Sequence, residues 1–94
     1  MTIDRHGNTW VTDVALHQVF KFRPDFERPL ITIGRRFQPG VTQNHLCKPT
    51  AVAIATTGEI FIADGYCNNR ILKFNAAARL LRVIPQPPGL FLII

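Results

Sequence analysis

One tyrosine, two cysteines and three histidines are the residues of this 94-residue sequence whose types invite chemistry beyond packing. Tyr66 stands in Asp64-Gly65-Tyr66-Cys67-Asn68, and its phenol is a group that can donate or accept a proton. A phenol normally titrates near ~10, so base work near neutrality needs an adjacent cation or metal to lower that value. The ordinary role of a lone tyrosine in a turn is that of an amphipathic anchor with its hydroxyl in water. Cys47 and Cys67 belong to no CxxC pair, which excludes a zinc site built from four cysteines. In a secreted protein they would pair; in the cytosol they would be small buried thiols. His6, His17 and His45 fit no finger-type spacing and none follows a proline, so they read as loop or surface residues rather than metal ligands. Asp13 and Asp64 fall at strand ends, where a carboxylate accepts N–H groups of the following turn, and they are assigned no chemistry.

The elements that must position these residues are strands, because apolar and polar residues alternate with period two. Gly7 to Asp13 reads as a turn feeding a short strand, Gln18 to Phe22 as a second strand, and Leu30 to Ile33 as a third stopped by Gly34. A loop rich in Gly, Pro, Gln and Asn follows from Gly34 to Pro49. Strands resume at Ala51 to Ile54, Glu59 to Ala63 and Arg70 to Phe74. Ala76-Ala77-Ala78 is the one hint of helix, and it is too short to hold a helix alone.

Composition bounds the possibilities. The chain has material for one core, and with 47% hydrophobic and 18% charged residues it has apolar surface to bury. The longest purely apolar run, Leu90 to Ile94, is far short of the ~20 residues of a spanning helix. The opening Met1-Thr2-Ile3-Asp4-Arg5-His6 is not that of a secretory signal. Eleven Lys and Arg against six Asp and Glu give a net charge of +5. The bases are interleaved with acids and scattered through apolar segments, so solvated strand faces explain them better than a nucleic-acid surface does.

The two halves repeat one another. Ile3, Gly7, Trp10 and Asp13 match Ile54, Gly58, Phe61 and Asp64 at a constant offset of 51 residues, and Val19, Lys21 and Phe22 match Ile71, Lys73 and Phe74 at an offset of 52. One residue is therefore inserted between the two groups. A unit of this size, with several short strands, a Gly turn and an Asp at a strand end, has the texture of a propeller blade. Trp10, Phe20, Phe22, Phe61 and Phe74 fall on strand positions, so they read as blade packing rather than ligand stacking.

The pattern Pro49-x-x-Val52-Ala53-Ile54-x-x-x-Gly58-x-Ile60-Phe61-Ile62-Ala63-Asp64, followed by Arg70-Ile71-x-Lys73-Phe74, resembles the NHL repeat. Adding Trp10 to Lys21, Phe37-Gln38-Pro39-Gly40, Cys47-x-Pro49-Thr50 and Asp64 to Asn68 makes the sequence similar to the peptidyl-α-hydroxyglycine α-amidating lyases from about Thr2 to Arg82. The resemblance implies an all-β fold of NHL-type blades, about two of a six-bladed propeller. It implies cleavage of the N–C bond of a peptidyl α-hydroxyglycine to an amidated peptide and glyoxylate, in the secretory pathway or outside the cell, in cooperation or fusion with a peptidylglycine monooxygenase. Zinc and calcium are implied for the complete enzyme, with zinc held by three histidines in Pro-His elements.

Carried over by position, the resemblance makes Tyr66 the catalytic tyrosine and pairs Cys47 with Cys67 in a disulfide that ties the Tyr66 loop to the loop before Pro49. The Pro-His element is absent: Pro49-Thr50 occupies its place, as in that blade of the family. The metal ligands are expected before Met1 and beyond Ile94, so the chain reads as a truncated or alternatively ended piece that binds neither metal by itself. Residues 1–82 are expected to form the partial propeller and 83–94 a divergent tail. A competing reading is an NHL-type module that binds RNA or protein, which would need neither the cysteine pair nor Val14-Ala15-Leu16-His17.

Overall fold

The period-two alternation resolves into eight strands and, among the described residues, no helix. The computed structural model describes residues 1–25, 28–42, 44–65 and 67–85. The strands are β1 (Thr2–Ile3), β2 (Thr9–Asp13), β3 (Gln18–Phe22), β4 (Pro29–Ile33), β5 (Pro49–Ile54), β6 (Ile60–Asp64), β7 (Arg70–Phe74) and β8 (Leu80–Pro85). They form two antiparallel four-stranded meanders, ordered β1-β2-β3-β4 and β5-β6-β7-β8. β8 extends past the boundary expected at Arg82, pairing Ile84 with Ile71, and the rest of the expected tail, 86–94, lies outside the described residues.

The repeat extends into the ladders. Thr2↔Trp10 and Ile3↔Thr9 in the first sheet correspond to Ala53↔Phe61 and Ile54↔Ile60 in the second. Val19↔Ile33, Phe20↔Thr32 and Lys21↔Ile31 correspond to Ile71↔Ile84, Leu72↔Val83 and Lys73↔Arg82. The register shifts at the same place in both sheets, between Lys21 and Phe22 and between Lys73 and Phe74. A bulge conserved between the copies is a built feature that bends the outer strands alike.

Three hairpins close through one turn. Gly7 N donates to Asp4 O, Gly58 N to Ala55 O and Ala78 N to Asn75 O, each within a turn whose fourth residue has positive φ. That residue is glycine twice and Ala78 once, at φ 65°. The alanine triplet that hinted at helix is therefore a hairpin turn, with Asn75 Oδ1 accepting from Ala77 N and Arg79 N. Only glycine adopts this conformation without Cβ strain. Ala78→Gly is expected to raise stability by up to about 1 kcal/mol in chemical denaturation, the strain relief being offset in part by the lost methyl contact with the core.

The core lies between the sheets. Trp10, Val19 and Ile33 of the first meet Val52, Ile60, Ile62, Leu72 and Phe74 of the second, and Leu46 of the connecting loop is buried with them. Trp10 is anchored through Nε1 to Asp4 Oδ2 at 3.0 Å, while Asp4 Oδ1 accepts His6 N and Asn8 N. Burial pushes the Asp4 carboxyl up, but these three donors and the charge of Lys21 outweigh it and hold the group below its ordinary value of 3.8. A depressed folded value means that Asp4 stabilises the fold above its unfolded pKa, and that this contribution is lost as pH falls through the folded pKa. Acid titration of Trp10 fluorescence is expected to show a transition below pH 3.8 that Asp4→Asn removes.

Candidate active-site loop

The residue inserted between the two repeats falls in the β6–β7 connection, Gly65 to Asn69, one residue longer than its counterpart Val14 to His17 between β2 and β3. This connection carries Tyr66. Both loops end on a left-handed residue, His17 at φ 60° and Asn69 at φ 48°, immediately before the next strand. Tyr66 itself lies outside the described residues, and the geometry of the site is that of its flanks.

On the C-terminal flank, Cys67 is bonded to Cys47, with Cα atoms 5.5 Å apart and a sequence separation of 20. On the N-terminal flank stands Asp64, fully buried and ion-paired through Oδ2 to Arg70 Nε at 2.8 Å. The same oxygen accepts Asn68 Nδ2 at 2.7 Å, and Oδ1 accepts Cys47 N at 2.7 Å. Arg70 spends its remaining donors on backbone: Nη1 on Val41 O at 2.7 Å, Nη2 on Thr42 O at 3.0 Å and His45 O at 2.9 Å. Asn68 Nδ2 also reaches Gly40 O at 2.7 Å. Arg70 and Asn68 thus cap four carbonyls of the long connection between the sheets, and Asp64 holds the guanidinium in place. No buried side-chain N or O among the described residues is left without a hydrogen-bond partner, which is the condition for a buried ion pair to be tolerated.

Asp13, in the matching position of the first sheet, behaves as the sequence predicted, with Oδ1 accepting Ala15 N and Leu16 N at 3.0 Å each. Asp64 does something the sequence reading missed. Its facing residue across the ladder is Arg70, where Asp13 faces Gln18, and the added cation turns a turn cap into the centre of a network. The available signal was the pairing of opposite charges at the two ends of the inserted loop.

The histidines fall in three separate places. His6 is exposed in the β1–β2 turn. His17 Nδ1 accepts Lys48 N at 3.1 Å, joining the shorter loop of the first sheet to the stretch that carries Cys47. His45 Nδ1 bonds Thr42 Oγ1 at 2.7 Å inside the long connection. Among the described residues no three His, Cys, Asp or Glu side chains converge on one point. Thr50, which stands where a Pro-His element would place its histidine, donates through Oγ1 to Ala63 O at 3.3 Å.

Residues 46–74 match the NHL repeat. Laid over a four-stranded meander that occurs twice, this match defines the molecule as a pair of NHL-type propeller blades. Among curated proteins the chain is 70% identical to peptidyl-alpha-hydroxyglycine alpha-amidating lyase 2 of Drosophila melanogaster over 88 residues, which is 94% of this chain and 22% of that protein. It is 59% identical over 76 residues to peptidyl-glycine alpha-amidating monooxygenase B of Xenopus laevis, covering 80% of this chain and 9% of that protein. To a probable peptidyl-alpha-hydroxyglycine alpha-amidating lyase of Caenorhabditis elegans it is 50% identical over 84 residues, covering 89% of this chain and 24% of that protein. Over the stretch it spans, the chain is similar to the peptidyl-α-hydroxyglycine α-amidating lyases. That stretch is about a fifth of the length of the Drosophila relative.

Opening the disulfide frees the 20-residue loop that it closes. Reduction, or Cys47→Ala with Cys67→Ala, is expected to lower stability by about 3 kcal/mol in the chain-entropy estimate, read as a lower urea midpoint. Peptide mapping without reductant should recover the linked pair.

Proposed function

We propose that the chain supplies one wall of the active site of a peptidyl-α-hydroxyglycine α-amidating lyase, with Tyr66 as the residue that acts on the substrate hydroxyl. The observation that carries this reading is that both flanks of Tyr66 are clamped, by the Cys47–Cys67 bond on one side and the Asp64–Arg70 pair on the other. The 70% identity to the Drosophila lyase supports it. A loop held at both ends is what a proton-transfer group requires, because small displacements of a reacting atom cost large factors in rate.

The chemistry is a balanced elimination. The substrate's hydroxyl gives up its proton to Tyr66 acting as base, the electron pair left on oxygen forms the second C–O bond of glyoxylate's aldehyde, and the C–N pair leaves with nitrogen. A proton returned to that nitrogen completes the C-terminal amide. Zinc and calcium belong in this proposal to the complete enzyme. The same proposal places the protein in the secretory pathway, where the disulfide is stable, and in cooperation with a peptidylglycine monooxygenase, which makes the hydroxyglycine. No helix among the described residues is long and apolar enough to cross a membrane.

The purified 94-residue chain alone is expected to release no glyoxylate from a hydroxyglycine peptide and to take up zinc weakly and without fixed stoichiometry. Turnover with tight, stoichiometric zinc would overturn that expectation and require a new ligand set.

A further inference from the structure

The three like turns described above, Asp4 to Gly7, Ala55 to Gly58 and Asn75 to Ala78, stand at the end of the sheets opposite the β6–β7 connection. A cavity of about 400 Å³ lies among them, lined by residues of all three turns and by Trp10, Lys21 and Ile54, so that both of its walls belong to this chain. The turns are copies in backbone but not in charge. Arg5-His6 stands where the other two have Thr56-Thr57 and Ala76-Ala77. Arg5 Nη1 reaches across to Thr56 O at 3.0 Å, its own counterpart at the offset of 51, and its other donors make no hydrogen bond among the described residues. Lys21 departs from its copy in the same direction. Lys73 Nζ pairs with Glu59 Oε2 at 3.0 Å, but the first sheet has Asn8 at the position of Glu59, and Lys21 forms no ion pair among the described residues. Its Nζ lies 5.5 Å from the centroid of the Trp10 ring. Asp4 is the one acid in the lining, and both its oxygens are already taken by Trp10 Nε1, His6 N and Asn8 N. Two cations therefore line one cavity with no acceptor left to share between them.

We infer that this cavity binds a small organic monoanion, a carboxylate on a short apolar stem, held between Arg5 and Lys21. The guanidinium fork offers a carboxylate paired donors in a fixed plane, and the ammonium adds a point charge. With His6 neutral, Arg5, Lys21 and Asp4 leave the lining one positive charge. A single carboxylate neutralises that charge, whereas a phosphate dianion overshoots it. Ile54, Ala55 and Ala76 give the stem apolar surface in the same cavity, and its volume falls at the small end of the roughly 300–1,000 Å³ of ligand pockets. The site stands at the far end of the sheets from the loop that carries Tyr66, so it does not rest on the catalytic reading.

Sodium butyrate, titrated into the 94-residue chain at constant ionic strength, is the test, read in the fluorescence of Trp10, the single tryptophan, and in the backbone amide shifts of the three turns by NMR. Both signals are expected to saturate together with a Kd on the order of 1 mM, as befits so small a ligand. A response that stays linear, or shifts confined to the opposite end of the sheets, overturns the proposal. Arg5→Gln and Lys21→Gln are each expected to weaken binding by about tenfold, the loss of one charge-assisted hydrogen bond. Arg82→Gln makes the same change of net charge away from the cavity and is expected to leave the Kd unchanged; an equal loss there shows general attraction to a basic chain and overturns the site. Inorganic phosphate at the same ionic strength is expected to bind at least about tenfold more weakly than butyrate, by the charge match above. Phosphate binding as tightly overturns the assignment to an organic monoanion. If Lys21→Gln loses its strand signal in circular dichroism, Arg5→Gln, on an exposed turn, carries the same expectation, and undiminished binding by it overturns the proposal.

Discussion

Replacing Arg70 with Met is expected to destabilise the fold by about 3–5 kcal/mol, the cost of leaving a buried charge without its partner. Asp64 is completely buried, and with Met at position 70 its carboxylate would keep only Cys47 N and Asn68 Nδ2 of the partners described above. The carbonyls of Val41, Thr42 and His45 would lose their guanidinium donor at the same time. Against a total stability of roughly 5–15 kcal/mol for a small domain, such a loss leaves little or no folded chain. Urea denaturation followed by circular dichroism measures it. The double variant Asp64→Leu with Arg70→Met should recover part of the loss, because an apolar pair of similar volume no longer buries an orphaned charge. A single variant as stable as the unmodified chain would show that the ion pair does not hold the long connection.

Tyr66→Phe, made in a complete enzyme that carries this segment, is expected to lower kcat by about 10²- to 10⁴-fold, the usual contribution of a positioned proton-transfer group. The change removes one oxygen and almost no volume, so the strand signal and the Cys47–Cys67 bond should survive. If proton removal from the hydroxyl limits the rate, kcat should fall and the substrate's affinity change little. An unchanged kcat would remove Tyr66 from the mechanism while leaving the similarity to the lyases intact. The two substitutions are complementary, since Arg70→Met tests what holds the loop and Tyr66→Phe tests the proposed reaction.

Strand identity, the repeat offset and the resemblance to the lyases all lie in local patterns of this chain. Period-two alternation depends on neighbours two residues apart, and the offset of 51 needs only that matched residues recur. The pairing of Cys47 with Cys67 followed from the resemblance, and the bonded pair in the structure agrees with it. Asp13 shows the same locality, since its partners are two and three residues away. Asp64 shows the opposite. It occupies the matching position, yet its network reaches Cys47 across 17 residues, and its partner Arg70 reaches the carbonyls of Val41, Thr42 and His45 across 25 to 29. The alanine triplet, too short to hold a helix, shows the same dependence on partners: hydrogen bonds between Asn75, Ala78 and Arg79 make it a hairpin turn where β7 and β8 pair. Leu46 sits in a loop whose polar composition gave no sign of a core residue, and it is fully buried because the two sheets close over it. Short-range pattern could therefore assign the strands and their repetition, but which carboxylate became the clamp was decided by the long-range approach of the connecting loop to one end of the second sheet. There the desolvation of Asp64 is tolerable only with Arg70, Asn68 and the backbone of residue 47 all in place.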